Sequence, residues 1–293
     1  MIYLIQQTKI EASVATLLRK AVIELPKDVK VALSDAYRKE TNQLARLQLR
    51  AIMQNIEIAE KECVPVCQDT GVPIFFVKYG TDVKVPFNIP RAIRRGVQKA
   101  TEAVPLRPNV VEPINRHNPG TNVTYRMPYE YYEILPKKRF LEITVVPKGG
   151  GCENMSALGM LLPSEGQDGI VQFVLDKIVQ FMGRPCPPYI VGVGIGGSSD
   201  IAMKLAKIAT LRRIGARSRY RNIAKIEEKL LKSINSLGIG TMGLGGNITA
   251  LAVNLECAGV HTAVLPVAIN IQCWAARQCT VRIYENGRQE YSN

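Results

Sequence analysis

Three cysteines, Cys67, Cys186 and Cys273, stand far apart in the runs CQDTG, PCPP and QCWAAR, each beside residues that bend or expose the backbone. Turns of this kind present backbone N–H groups that help keep a thiolate deprotonated, the form that binds metal. Three thiolates are one short of the set that saturates an iron–sulfur cluster, so one iron would stay open for chemistry. The competing reading is plain burial, because cysteine packs as a small hydrophobe. Around these thiols stand other groups with chemical reach. Asp69 lies two residues after Cys67, where it has access to proton transfer or simply caps the CQDTG turn. His261 sits between two apolar runs, as an acid–base group or as a structural histidine. Arg107, in LRPNVV, offers a fork for a carboxylate or a surface ion pair. Gly149, Gly150 and Gly151 either expose N–H donors to an oxyanion or permit a tight turn.

Composition narrows the classes. A chain of 293 residues with 46% hydrophobic content buries a substantial core. Seven cysteines, an odd number, and an N-terminus without the pattern of a secretory signal favour reduced thiols and a cytoplasmic location over a disulfide framework. No CxxC pair occurs and only His117 and His261 are present, which disfavours a compact zinc module. No apolar run reaches the roughly 18 residues of a membrane span. The net charge of +13 suits nucleic acid, an acidic partner or an anionic substrate. From Lys204 to Lys232 there are ten basic residues against Glu227 and Glu228, which reads either as a solvated helix face or as a docking surface. Zinc fingers, KH-type repeats and clustered aromatics are absent, so nucleic acid is not the expected partner. A non-catalytic, basic RNA- or partner-binding protein is the alternative from another class.

The elements that must position these groups follow from periodicity. Residues 9–61 read as helices broken at Pro26. VPIFFVKYG reads as a strand, 89–103 as a helix, and 129–135 and 140–146 as strands. The Pro-, Asn- and Gly-rich segment LRPNVVEPINRHNPGTN between them is an ordered loop. Helices are expected at 155–161, 170–181, after Ser198 or Ser199, and at 223–237. YIVGVGIGG, TALAVNL, TAVLPVAINI and TVRIYE are the remaining strands. The expected fold is α/β or α+β, a helical N-terminal region followed by mixed β-sheets packed with helices. A single domain over 1–293 with a mainly helical region at about 1–61 is expected. VGVGIGGSSD lacks a glycine turn followed at the expected distance by an acidic residue, so a dinucleotide site is not read there.

Taken together, CQDTG, LRPNVV, PKGGGCENMSAL, CPPYIVGVGIGGSSD, LGIGTMGLGG and HTAVLPVAINIQCWA occur in one order over roughly Val64 to Arg277. In this the chain resembles the α subunit, or N-terminal half, of the iron–sulfur-dependent fumarate hydratases and their tartrate dehydratase relatives. The resemblance implies the fold of the iron–sulfur hydro-lyase α subunit and a 4Fe-4S cluster held by Cys67, Cys186 and Cys273. It implies Asp69 and His261 as catalytic groups, with Gln68, Arg107 and Gly150 contacting a small dicarboxylate. Cys63, Cys257 and Cys279 fall outside the pattern. It also implies a β subunit that completes the site, in an assembly of two α and two β subunits. The expected reaction is hydration of fumarate to (S)-malate, a tricarboxylic acid cycle step, with dehydration of L(+)-tartrate to oxaloacetate as the alternative. IGGSSD and GLGGNITALAVN resemble the fumarate branch, whereas Cys152, where serine is usual, leans toward tartrate-type relatives.

Overall fold

A computed structural model describes residues 5–293. Met1–Leu4, part of the stretch read against a secretory signal and of the helical region expected at 1–61, lie outside the described residues. The chain divides into two compact units. The first comprises Met1–Pro26, Ile56–Gly150 and Arg277–Asn293, and the second Lys27–Asn55 and Gly151–Ala276.

The first unit is a five-stranded sheet with helices packed on it. Its strands are β1 (Val72–Gly80), β2 (Tyr129–Leu135), β3 (Phe140–Lys148), β8 (Cys279–Tyr284) and β9 (Gln289–Ser292), in the order β2-β1-β3-β8-β9. Only the β1–β2 pairing is parallel. Helices α1 (Gln7–Ile23) and α4 (Ile89–Ala103) pack together, and Phe75, Val77, Leu141, Ile143, Val145 and Val281 bury one face of the sheet with them. Gly96 permits the helix crossing, since a Cβ there would stand 2.6 Å from the Val14 Cβ. Asn88 caps α4 by accepting the Arg91 N–H, with Pro90 in the first turn.

The second unit has the sheet order β4-β7-β5-β6, formed by β4 (Ala157–Leu161), β5 (Tyr189–Gly197), β6 (Ala250–Val260) and β7 (Leu265–Gln272). The valines of YIVGVGIGG face a core shared with α6 (Gly166–Phe181) and α8 (Arg221–Ser236), where Val191 and Val193 join Val174, Ile178, Leu230 and Ile234. Its alternating glycines face α7 (Ser199–Ala209). A Cβ on Gly192 or Gly194 would stand 2.1 Å from the Ala206 carbonyl or 2.0 Å from that of Ala202, so glycine is what lets the helix lie on the strand. These glycines lie within the strand and serve packing. Helix α2 (Lys27–Lys39) follows Pro26 and is joined through the 40–42 turn to α3 (Gln43–Glu62). Glu40 is buried in this unit, and its Oε2 accepts the N–H groups of Asn247 and Ile248.

The expected α/β architecture is therefore observed, with one element corrected. The 155–161 helix is instead β4, preceded by a four-residue helix, α5 (Gly150–Glu153). Met155, Ala157, Leu158 and Leu161 carry helical propensity, but pairing with β7 from Ala157↔Ile269 to Leu161↔Leu265 satisfies the backbone in extended form. Gly159 then lies against the Phe173 ring, which a Cβ would meet at 2.6 Å. Ser198 stands before α7 without capping it, because its hydroxyl donates to the Asp200 carboxylate.

Candidate functional site

In the first unit, CQDTG turns into β1 and Asp69 is held from several directions. Its Oδ1 accepts the Gly71 N–H (2.9 Å) and the Asn109 Nδ2–H (3.1 Å). Its Oδ2 accepts the Gly150 N–H (2.8 Å), and its main-chain carbonyl accepts from Arg277 Nη1 (2.6 Å). The turn-capping reading of Asp69 is thus realised through Gly71, and the same carboxylate gathers donors from two other loops. Glycine is required at Gly71, whose φ is +83° and whose Cβ would stand 2.6 Å from the Pro147 carbonyl carbon. At Gly149 a Cβ would come 3.2 Å from Asp69 Oδ2 and crowd the approach of the Gly150 N–H.

The LRPNVV loop is tied to the same turn. Thr70, buried, accepts the Arg107 N–H at Oγ1 (3.0 Å). Buried Asn122 accepts the N–H groups of Asn109 and Val110 at Oδ1 and donates to the Arg107 carbonyl (3.1 Å). With its backbone fixed in this way, Arg107 presents an exposed side chain that joins no ion pair among the described residues. Gln68 is exposed next to Asp69. Asn109, Asn122 and Arg277 were not read from sequence, although Asn109 lies in a quoted motif. Arg277 is 2% exposed, its buried Nε has no hydrogen-bond partner, and it joins no ion pair among the described residues.

In the second unit, Cys186 and Cys273 are brought together. Cys186 precedes β5 and Cys273 follows β7, where Ile190 pairs with Gln272, and the Trp274 N–H donates to the Cys186 carbonyl (3.3 Å). Cys186 adopts φ +54°, a left-handed conformation that costs a non-glycine residue about 1–3 kcal/mol and marks functional turns. The LGIGTMGLGG loop supports this turn. Its Met242 N–H donates to the Pro187 carbonyl (2.8 Å), and Gly243 and Gly183 approach closely enough that a Cβ on Gly183 would stand 2.8 Å from the Gly243 Cα. Cys152, buried in α5, has its Sγ 4.0 Å from the Pro185 carbonyl.

His261 lies elsewhere in this unit. It is exposed in the turn between β6 and β7, and its Nδ1 accepts the Ala263 N–H (3.1 Å), which assigns the proton of the neutral ring to Nε2. Val260 pairs with Gly197 at the far end of β5 from the Cys186 turn. The nine residues of β5 span about 26 Å at roughly 3.3 Å per residue, and that length separates His261 from Cys186 and Cys273.

No disulfide joins the seven cysteines, and their surroundings sort them. Cys67, Cys186 and Cys273 are half-buried, Cys152 and Cys279 buried, Cys63 and Cys257 exposed. Burial pushes the Cys279 thiol up to about 12, and partial burial of the sulfur, with the Glu256 carboxylate, raises that of Cys257 on its otherwise exposed residue. Both are thereby held as neutral thiols, the wrong form for a ligand. The half-buried three combine access with turn geometry, which fits the donor chemistry of an iron–sulfur cluster. Among the described residues no group of three or more His, Cys, Asp or Glu is arranged to hold a metal ion.

The first unit thus holds a carboxylate fixed by converging donors, and the second holds two half-buried cysteines on neighbouring turns. The chain belongs to the fumarate hydratase (Fumerase) family, whose model matches residues 11–282. At the level of that family it is a hydro-lyase of four-carbon dicarboxylates. It is 54% identical over 280 residues to the putative L(+)-tartrate dehydratase subunit alpha of Methanocaldococcus jannaschii, covering 94% of this chain and 98% of that one. It is 35% identical over 260 residues to the L(+)-tartrate dehydratase subunit alpha of Escherichia coli, covering 89% and 86% respectively. The protein of the same description from Shigella sonnei matches at the same identity and coverage. No helix among the described residues is long and apolar enough to cross a membrane.

Proposed function

We propose that this chain is the α subunit of a hydro-lyase acting on L(+)-tartrate, giving oxaloacetate. The observation that carries the reading is the 54% identity along almost the whole of both chains to a putative L(+)-tartrate dehydratase α subunit. The residues fit the reaction. The Arg107 guanidinium binds a substrate carboxylate through its planar fork, and Gln68 adds a polar contact beside it. Asp69 moves the proton at a substrate carbon. Its Oδ1 already accepts two hydrogen bonds, whereas Oδ2 accepts one, so Oδ2 is the atom with capacity left to hold a proton. Gly150 orients that oxygen through its N–H. His261, exposed in the β6–β7 turn a strand's length from Cys186 and Cys273, carries its proton on Nε2 and would assist only at a site that another subunit completes.

Cys67, Cys186 and Cys273 would hold a 4Fe-4S cluster. Bound, the cluster supplies an iron without a protein ligand that polarises substrate hydroxyl and carboxylate oxygens as a Lewis acid, with no net electron transfer. A β subunit supplies the remaining cationic and hydroxyl groups, consistent with the naming of the relatives as α subunits. The enzyme is cytoplasmic in this reading.

Hydration of fumarate to (S)-malate is the second reading, favoured by the name of the matching family. The two are separated by reconstituting the chain anaerobically with iron and sulfide, with and without the β subunit, and measuring turnover of L(+)-tartrate and fumarate. Tartrate turnover that needs the β subunit is expected. Fumarate turnover alone overturns the substrate assignment, and full activity of the α chain by itself overturns the divided site.

A further inference from the structure

We propose that Arg277 is a positioning residue for Asp69, gripping the backbone of the CQDTG turn so that the carboxylate stays in place during proton transfer. The inference rests on the role given to Asp69 above and adds the residue on which that role depends. Arg277 stands just before β8 in the first unit and is 2% exposed. A guanidinium does not give up its charge, and taking it out of water is costly unless a carboxylate accompanies it. Arg277 joins no ion pair among the described residues, and its buried Nε has no hydrogen-bond partner. Native folds rarely leave a buried donor unsatisfied, so such an exception calls for a reason. Packing does not supply it, since an apolar side chain of similar volume fills a buried position without the cost of a charge.

The reason lies in what the guanidinium holds. Its Nη1 donates to the Asp69 main-chain carbonyl (2.6 Å), a charge-assisted bond of the short, strong kind. Its Nη2 lies 3.5 Å from the point that a Gly149 Cβ would take, and Asp69 Oδ2 approaches the same point to 3.2 Å. Guanidinium and carboxylate therefore flank Gly149 without pairing with each other. The two ends of Asp69 are held by different means. The cation fixes the main chain, and with it the direction in which the side chain leaves. The carboxylate is oriented by the N–H donors of Gly71, Asn109 and Gly150 alone. A guanidinium forked onto the carboxylate would occupy Oδ2, the oxygen with capacity to hold a proton. Placed on the carbonyl, it gives a rigid anchor and leaves that oxygen for the substrate.

The test uses the enzyme reconstituted with its β subunit and the diacid that the wild type turns over. Arg277→Met keeps most of the volume and removes the charge, whereas Arg277→Lys keeps a cation and loses the planar fork. In Arg277→Met, kcat is expected to fall about 10- to 100-fold with KM changed less than about threefold, as for a reacting group displaced by up to about 1 Å. Arg277→Lys is expected to lie between this variant and wild type. Combined with Asp69→Asn, the Arg277 change should add little to the loss from Asp69→Asn alone, because a residue that acts through Asp69 has nothing left to position. The cycle is run with whichever Arg277 variant folds. Hydrogen exchange gives a reading apart from turnover. Peptides covering the Gly71 and Gly150 N–H groups, which bond to the Asp69 carboxylate, are expected to exchange about tenfold faster in the Arg277 variant while the β3–β8 ladder keeps its protection. Losses that multiply in the double variant, unchanged exchange at Gly71 and Gly150, or failure of both Arg277 variants to fold overturn the positioning role. A fully active Asp69→Asn enzyme overturns instead the reading of Asp69 on which it rests.

Discussion

At the residue scale, Asp69 concentrates what the sequence and the fold jointly provide. Its position in CQDTG marks a turn, and the Gly71 N–H it accepts is the local hydrogen bond such a turn forms. The other donors come from Asn109, Gly150 and Arg277, which stand 40, 81 and 208 residues away in sequence. No periodicity or spacing reports contacts at such separations, which is why Asn109 and Arg277 escaped a reading that named Asp69, Gln68, Arg107 and Gly150 as expected site residues. Asp69→Asn keeps the shape but removes an acceptor from a cluster of N–H donors. It is expected to lower kcat by about 10²–10⁴-fold while thermal unfolding shows a loss of about 1–3 kcal/mol. Unchanged turnover in this variant would remove Asp69 from the proton path. Arg107→Met, on an exposed side chain, is expected to raise KM about tenfold or more with little change in melting temperature, because it removes a carboxylate contact and no core packing.

At the element scale, burial and pairing decide where propensity alone does not. Periodicity placed α1, α4, α6, α8 and most strands close to their observed ends, because each has one apolar face and clear breakers. It failed at 155–161, where a short stretch of helix-forming residues takes strand form against β7. It could read YIVGVGIGG as a buried strand but not explain its glycines, whose reason is the backbone of α7 across the sheet. Gly194→Ala drives a Cβ to within 2.0 Å of the Ala202 carbonyl and is expected to cost about 3 kcal/mol or more. Gly259→Ala, with no atom within 4 Å of its Cβ, serves as the neutral control in the same denaturation series.

The α1–α4 contact gives a pH-dependent prediction. Hydrogen bonds from Lys99 (2.6 Å) and Gln7 hold the Glu11 carboxyl below the usual carboxylate range, against the opposing effect of burial. A depressed carboxylate stabilises the folded state fully above its unfolded pKa and loses that contribution as pH falls through the folded value. Lys99 and Arg95 are about half exposed, so Glu11→Gln is expected to cost only about 1 kcal/mol near neutrality. The gap from wild type should close below about pH 4. A gap that persists at low pH would assign the effect to packing.

At the scale of the whole molecule, the charge of +13 is partly consumed internally. Within the basic 204–232 segment, Lys207 pairs with Glu153, Arg212 with Glu227 and Glu256, and Lys229 with Asp168. Arg212 is further fixed by the Leu255 carbonyl (2.6 Å), and buried Glu227 accepts the Leu255 N–H (2.8 Å). These pairs make part of the segment a structural brace between α8 and β6. Retention on immobilised RNA is therefore expected to fall with rising salt no more slowly than for a basic control of equal size. Retention beyond that control would revive the RNA-binding alternative.

The sequence by itself determined the alternation of helices and strands, the turns that carry Cys67, Cys186 and Cys273, and the motif order that marks the family. These are local properties, written in period, breaker residues and short runs. Only the tertiary structure decided that Asn109, Gly150 and Arg277 converge on Asp69, that Cys186 meets the segment after Cys273, and that β5 holds His261 a full strand length from both. Such relations depend on sheet order and register, which join residues with no sequence proximity, so they come into being only when the strands pair.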